Sequence, residues 1–535
     1  MPTTTFTRYV IVTGGVVSSL GKGIVAASLG NLLCARGLSV RLVKLDPYLN
    51  IDPGTLAPRQ HGEVFITRDG TETDLDLGHY ERFTAVPCSR ESTHTSGAVL
   101  TEVLRKERAG EYLGETVQVI PHVTDEIISR VTRSARGTDV CIVEVGGTIG
   151  DIEGLYIVEA LRQLRRQVGP QRMCIVQATL VPWIAAAGEL KTKPTQYAVT
   201  VARQLGLHPD VIVLRAERPV PDEQRAKIAV FCDLPDEAVI SGHDTRSIYE
   251  VPLVLHANGL DRIVCERLAL AAGTPTLDGW RGMCERLLGA SIPVTVAIVA
   301  KYTDHQDAYI SIVEALKHAA AINHRALRVM WVDAEQVNAE SVGPLLSDAD
   351  AILVPGGFGE RGVEGKIAAA RYAREQRVPY LGICLGLQVA VIEFARNVLG
   401  LRSANSREFA PKCRHCVIDL SPEQKGVNDL GGTMRLGEQE AALVEGTIVH
   451  RLYDTDRIRE RHRHRYEVNE RYIAGLEAGG LVISARHPQR GLVECIELPP
   501  QTHPFYVAGQ FHPEFESYPT APHPLFVGLV QAAIR

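Results

Sequence analysis

The sequence has no surplus of positive charge. Lys and Arg number 57 against 63 Asp and Glu, a net charge of −6 over 535 residues. That argues against a generic nucleic-acid or anionic-membrane binder and leaves phosphate recognition to local sites. Long apolar runs are also missing: the stretch Met173–Gly188 is interrupted by Pro182 and is too short to span a bilayer. From Met1 to Arg8 there is no basic segment followed by an apolar one, so no secretory signal is expected. The 11 cysteines are odd in number and irregularly spaced, which reads as reduced thiols of a cytoplasmic protein, not a disulfide framework. One Cys-x-x-Cys, at Cys413 and Cys416, has no second pair, and no zinc site is inferred there. What is present is ordinary for a soluble enzyme, with 45% hydrophobic and 22% charged residues. The length suggests more than one core, read here as two large units.

Near the start, Tyr9–Thr13 reads as a buried strand, followed by a glycine-rich stretch, Gly14–Gly23, a helix over 24–36 and a second strand, Val40–Leu45. This is a βαβ unit with a phosphate cradle, of P-loop type. It departs from the usual spacing: five residues separate Gly15 from Gly21, and Gly23 stands where a hydroxyl residue normally helps to hold magnesium. The metal must then be held by carboxylates from elsewhere. Glu144, at the end of the apolar run Val140–Glu144, and Asp76, in a stretch read as loop-rich between Asp69 and Gly78, are the candidates. Lys44 is a second cation for the phosphates. A turn over 146–153 carries Asp151 and Glu153. Lys191, Thr192, Lys193, Pro194, Thr195 and Gln196 open a helix to about Gln204; their lysines, hydroxyls and free N–H groups suit a second polyphosphate. Arg225 and Lys227 add positive charge on a helical face. Two anion sites in one domain imply two nucleotides.

A weak pattern between about Leu270 and Pro293, with one short helix near Trp280–Leu288, marks the boundary. The expected division is 1–270, a linker over 271–291, and 292–535. The second part is again α/β: strands Val294–Val299, Leu327–Val332 and Ala351–Val354, helices Ala308–Asn323 and Val363–Gln376, then shorter strands beyond Thr433. The run Pro379–Ile383 ends at Cys384 between Gly382 and Gly386, the layout of a nucleophile elbow. A thiol there lies at a helix N-terminus, and the Leu385 N–H with the Pro355–Gly359 loop would complete an oxyanion hole. A lone cysteine is as often a core thiol, but Gln510-Phe511-His512-Pro513-Glu514 supplies a base and its orienting carboxylate, read as alternating on an extended segment. This pairing resembles the triad-type glutamine amidotransferases, which release ammonia from glutamine through a thioester. The densest basic run, Arg461–Arg465, reads as a solvated or carboxylate-binding strand.

Together these stretches resemble cytidine triphosphate synthase over nearly the full length, in Gly14–Gly23, Lys44–Tyr48, Gln60–Val64, Glu72–Phe83, Lys191–Gln196, Pro355–Gly359, Gly382–Gln388 and Arg461–Val468. The resemblance implies an N-terminal P-loop-like amidoligase domain with a parallel sheet and a C-terminal class I glutamine amidotransferase domain of flavodoxin-like α/β fold. UTP would be aminated at C4 to CTP, with ATP as co-substrate and ammonia channelled from glutamine. ATP would be held by Ser19, Leu20, Gly21, Lys22, Gly23, Ile24, Asp76 and Asp244, and Mg2+ by Asp76 and Glu144. UTP, or CTP as inhibitor, would meet Ser18, Asp151, Ile152, Glu153, Lys191–Gln196 and Lys227. Glutamine would meet Gly357, Leu385, Gly386, Leu387, Gln388, Glu408 and Arg465 around Cys384, His512 and Glu514.

The resemblance further implies GTP as allosteric activator through Leu430–Arg435, an ammonia path near His61 and Val64, a homotetramer built as a dimer of dimers, possible filaments, and a cytoplasmic location. Two departures bear on it: His243-Asp244-Thr245 replaces the family's Lys-Asp-Val, and Ile418–Val427 is shortened. The rival readings are another ATP-dependent amidoligase with a fused glutaminase, a nucleotide-dependent switch with a degenerate amidotransferase, and a free amide hydrolase.

Overall fold

The computed structural model describes residues 6–15, 17, 20–420 and 434–534. Ser18 and Ser19, and residues 430–433 of the segment expected to respond to GTP, lie outside the described residues. Two compact units are present: Met1–Pro53 with Asp76–Cys284, and Gly54–Leu75 with Glu285–Arg535. The grouping is not contiguous. Gly54–Leu75, which the sequence division leaves in the first domain, belongs to the second unit, and the helix Asp278–Gly289 spans the change.

In the first unit, buried β-branched runs make a seven-stranded parallel sheet. Its order is Val239–His243, Val211–Ala216, Met173–Leu180, Arg8–Gly14, Val140–Val145, Val40–Asp46 and Thr93–Thr95. Strands buried on both faces read as continuous apolar runs, which is how the pattern found Arg8–Gly14, Val40–Asp46 and Val140–Val145; the other four strands were not read as strands. The register places Lys44 opposite Glu144, and Glu144 opposite Val12, at the carboxyl ends where ligands of open α/β sheets bind. Asp76 does not sit in a loop: it lies in the first turn of the helix Leu75–Thr84. The mixed polarity of that segment concealed a short helix that is buried continuously from Leu77 to Phe83, charged residues included.

The second unit carries a nine-stranded sheet. Parallel strands Ala326–Asp333, Pro293–Ala300, Ala351–Val354, Tyr380–Ile383 and Tyr506–Gly509 are followed by antiparallel Val493–Glu497, Val482–Arg486, Arg435–Leu443 and Arg457–His464. Helix Leu385–Asn397 is buried along nearly its whole length. The basic run Arg461–Arg465 is not solvated: Arg461, His462 and His464 are buried. Cys413 and Cys416 form a disulfide, against the expectation of reduced thiols throughout; the other nine cysteines are free, and eight of them are buried.

Candidate active sites

The first site grows from the strand Arg8–Gly14. Gly21, at φ 76°, turns the chain into the helix Lys22–Ala35, so Lys22 opens the helix. Lys22 Nζ donates to the Gly147 carbonyl at 2.7 Å. Gly23 is explained by its neighbours. A Cβ there would stand 2.2 Å from Asp76 Oδ1 and 3.5 Å from Glu144 Oε2, so the space a hydroxyl residue would take belongs to two carboxylates. Lys44 pairs with Asp76 and lies 3.9 Å from Glu144 and 3.7 Å from Asp46. Tyr80, unmarked in the sequence reading, donates its hydroxyl to Glu144. Burial raises the Glu144 carboxyl to about 7, with the Asp76 charge adding to it against Lys44. Burial also pushes Asp76 up, but the Lys44 ammonium overrides it and holds the carboxyl low. Burial lowers Lys22. A buried carboxylate, Glu144, and a half-buried one, Asp76, converging on one glycine fit magnesium, which takes few protein oxygens and keeps phosphate and water for the rest. Among the described residues no cluster of three or more metal-ligating side chains occurs.

Around this cradle the fold gathers other expected residues. Arg215, missed by sequence reasoning, donates from Nε to the Leu20 carbonyl at 3.1 Å and from Nη2 to Asp244 at 2.9 Å, which joins the glycine-rich loop to Asp244. Gly15 and Gly150 both pack on the helix Lys193–Gln204, with Cβ positions 2.5 Å from Ala198 and 2.9 Å from Val201. The loop carrying Asp151, Ile152 and Glu153, all exposed, therefore abuts the same helix that Lys191–Gln196 begins. Thr195 is buried on Thr179 and the Leu180 carbonyl, whereas Lys191 pairs with Glu189 at 2.5 Å in solvent. Lys227 is exposed on the helix Asp222–Phe231.

The second site is built on Cys384, which has φ 54° and ψ −100°, a strained conformation between the strand Tyr380–Ile383 and its helix. Close packing dictates the glycines beside it: a Cβ on Gly386 would lie 2.2 Å from the Val354 carbonyl oxygen, and one on Gly382 2.7 Å from Gly386 backbone. Thus the turn is tight enough to put the thiol on a cavity of about 270 Å³, lined by Gly356, Gly357, Phe358, Arg463, His512 and Glu514 among others. His512 Nδ1 meets Glu514 Oε1 at 2.7 Å. The pair is not on an extended segment. Glu514 lies in the 3-10 turn Pro513–Glu516, which brings its carboxylate back beneath the imidazole. Burial lowers the His512 pKa, but Glu514 and Cys384 outweigh it and raise it to about 10.

Leu385, Gly386, Leu387 and Gln388 form the first buried turn after the thiol. Glu408 accepts the Gly359 N–H at 2.6 Å, and Lys301 Nζ donates to the Phe358 carbonyl and, at 2.8 Å, to that of Gly359, so both hold the loop that carries Gly357. Arg465 is half-buried in the bend before Tyr466–Val468. Of the two residues expected along an ammonia path, Val64 lines the cavity and His61 is exposed. Glu63, also unpredicted, lines it too and accepts the Ser311 hydroxyl at 2.5 Å and its N–H at 3.1 Å, capping the helix Ile310–Ile322.

A thiol nucleophile with an imidazole–carboxylate pair, in one chain with a lysine- and carboxylate-lined phosphate cradle, suits ammonia release coupled to a phosphate-driven amination. Comparison with known proteins agrees. The family model described as CTP synthase N-terminus matches residues 8–270, and that described as glutamine amidotransferase class-I matches residues 304–532. CTP synthase of Geobacillus kaustophilus is 55% identical over 531 residues, covering 99% of this chain and 100% of the relative. CTP synthase of Bacillus subtilis is 52% identical over 531 residues, covering 99% of both. The chain belongs to the CTP synthase family. As a member of that family it is a glutamine-dependent ligase that uses UTP and ATP, with an α/β synthase region followed by a class I amidotransferase region. A solved glutaminase domain of Trypanosoma brucei CTPS with bound acivicin is 39% identical, covers 45% of this chain and 94% of its own, and has a TM-score of 0.42. No helix among the described residues is long and apolar enough to cross a membrane.

Proposed function

We propose that this CTP synthase divides its reaction between the two sites, with Cys384, His512 and Glu514 releasing ammonia and the cradle around Lys22 priming UTP to receive it. Cys384 Sγ attacks the amide carbon of glutamine. His512 accepts the thiol proton and passes it to the departing ammonia, while Glu514 holds the imidazole in place. The Leu385 N–H and the Gly357 loop face the oxyanion, and water then releases glutamate from the thioester. Gln388, Glu408 and Arg465 are assigned to glutamine.

At the cradle the oxygen on C4 of uracil is a poor leaving group until the γ-phosphoryl of ATP is transferred to it. Lys22 and Lys44 neutralise charge on that phosphoryl group, and Asp76 and Glu144 would hold Mg2+. Bound there, the metal supplies further neutralisation of phosphate charge. Ammonia attacks C4 and phosphate leaves. Leu20–Ile24, Arg215 and Asp244 are assigned to ATP, and Asp151–Glu153, Lys191–Gln196 and Lys227 to the pyrimidine nucleotide, as UTP or inhibitory CTP. Ammonia in water near pH 7 is mostly protonated and not nucleophilic, so it is handed on without release to solvent. The domain division at 271–291, GTP activation, a cytoplasmic location and a homotetramer complete the reading, all carried by the family resemblance.

The observation that supports it most is the 2.7 Å His512–Glu514 pair beside a strained Cys384. Cys384→Ala is expected to abolish glutamine-dependent CTP synthesis and keep synthesis from added ammonia, increasingly so as pH rises. Equal loss from both nitrogen sources in a folded variant would contradict the division of labour.

A further inference from the structure

Gln510 stands two positions before His512 and has no solvent exposure. Its side-chain amide reaches the nucleophile: Nε2 lies 3.8 Å from Cys384 Sγ, within hydrogen-bonding range of sulfur. Its orientation is fixed from the other side. Gln388, four residues after Cys384, has one NH2 group whose two hydrogens serve two acceptors, the Tyr466 carbonyl at 3.1 Å and Gln510 Oε1 at 3.4 Å. With its oxygen engaged by Gln388, the Gln510 amide can only turn its NH2 towards the sulfur. The backbone is held as well, since the Gln510 N–H donates to the Glu494 carbonyl at 2.8 Å.

We propose that Gln510 is a catalytic residue that donates a hydrogen bond to the Cys384 thiolate, with Gln388 as the positioning residue that orients it. The inference rests on Cys384 being the nucleophile. His512 alone gives the thiolate one donor, and that donor must leave with the proton when ammonia departs. A neutral amide that cannot transfer a proton keeps the sulfur solvated through both halves of the reaction. The Cys384 N–H is already committed, donating to the Gly509 carbonyl at 2.7 Å, and the Arg463 carbonyl, 3.8 Å from the sulfur, can only accept. The charged groups around the sulfur are His512 with Glu514 behind it, Arg463 on the cavity wall, and Lys366, which is buried and donates to the Pro355 carbonyl at 3.0 Å. Substitution at Gln510 removes none of them.

The test is the pH dependence of Cys384 alkylation by iodoacetamide in the full-length enzyme, located by peptide mass, for wild type, Gln510→Met and Gln510→Glu. Gln510→Met should slow alkylation at pH 7 by about tenfold, moving the profile up by about one pH unit with its high-pH plateau kept. The isosteric Gln510→Glu should be slower still, because a carboxylate faces the thiolate. Glutaminase kcat should fall in the same order with KM for glutamine nearly constant, and ammonia-dependent CTP synthesis should be unchanged. Coincident profiles for wild type and Gln510→Met overturn the proposal, and so does Gln510→Glu outperforming Gln510→Met, the order expected if only volume matters. A wild-type Cys384 no more reactive than the other thiols would instead overturn its assignment as nucleophile.

Discussion

Arg463 and Glu72, 391 positions apart in sequence, pair at 2.8 Å within the second unit, with side chains only 15% and 3% exposed. Arg463 also donates to the Gly54 carbonyl at 3.3 Å. Two residues earlier, the fully buried Arg461 donates to the Ile66 carbonyl at 2.8 Å and to Glu516 at 2.7 Å. The same strand turns its backbone to the proposed catalytic residues, accepting the His512 N–H on the Arg461 carbonyl at 2.8 Å. Segment Gly54–Leu75 is therefore fastened by the side chains of a strand whose main chain holds the imidazole. Covalently, that segment runs on at Asp76, a candidate metal ligand.

Glu72→Ala leaves the Arg463 guanidinium buried without its carboxylate, which costs about 3 kcal/mol. Hydrogen exchange of the backbone from Phe65 to Thr73 is expected to speed up accordingly. In a double-mutant cycle with Arg463→Met the two changes should be strongly non-additive, by roughly 1 kcal/mol or more. Additive effects would show that the two residues do not support each other.

At the cradle, Gly23→Ala puts a methyl group where Asp76 Oδ1 lies. ATP-dependent synthesis should fall on the order of 100-fold, as should that of Asp76→Asn, since metal charge stabilisation is worth several kcal/mol. Glutamine hydrolysis should persist in both. Full synthase activity in Gly23→Ala would mean that the carboxylate has freedom to move away.

The raised pKa of His512 has a definite sign. Its pairing with Glu514 and Cys384 contributes stability in full below the ordinary histidine value of about 6.5, and this is lost as pH rises through about 10. Glu514→Gln removes the main support of the imidazolium. Cys384 alkylation by iodoacetamide should then drop most between pH 7 and 9, where the wild-type imidazolium still balances the thiolate. A Glu514→Gln profile matching wild type would contradict this.

Local features were legible in the sequence. The elbow at Cys384 is marked by Gly382 and Gly386 beside the thiol, and the strand, turn and helix around it folded as read. The helix Val363–Gln376 was recovered to the residue. What escaped depends on distant partners. Of the two readings of Arg461–Arg465, solvated or carboxylate-binding, the second holds for Arg461 and Arg463, but their partners Glu516 and Glu72 lie too far off in the chain to be named from the sequence. Tyr80, Glu63 and Gln510 lie inside stretches singled out in the sequence but were given no role of their own, and Arg215 carries no local signature. His512 and Glu514 were matched correctly on the wrong geometry, since Pro513 closes a 3-10 turn instead of extending a strand.

The most direct measurement uses glutamine labelled with 15N at its amide, supplied with UTP and ATP in the presence of excess unlabelled ammonium near neutral pH. The 4-amino nitrogen of the CTP formed should carry 15N almost undiluted, and Cys384→Ala should give only unlabelled CTP. A product whose label matches the mixed ammonium pool, or a wild-type enzyme that yields no CTP, would contradict a relay from Cys384 to the primed uracil.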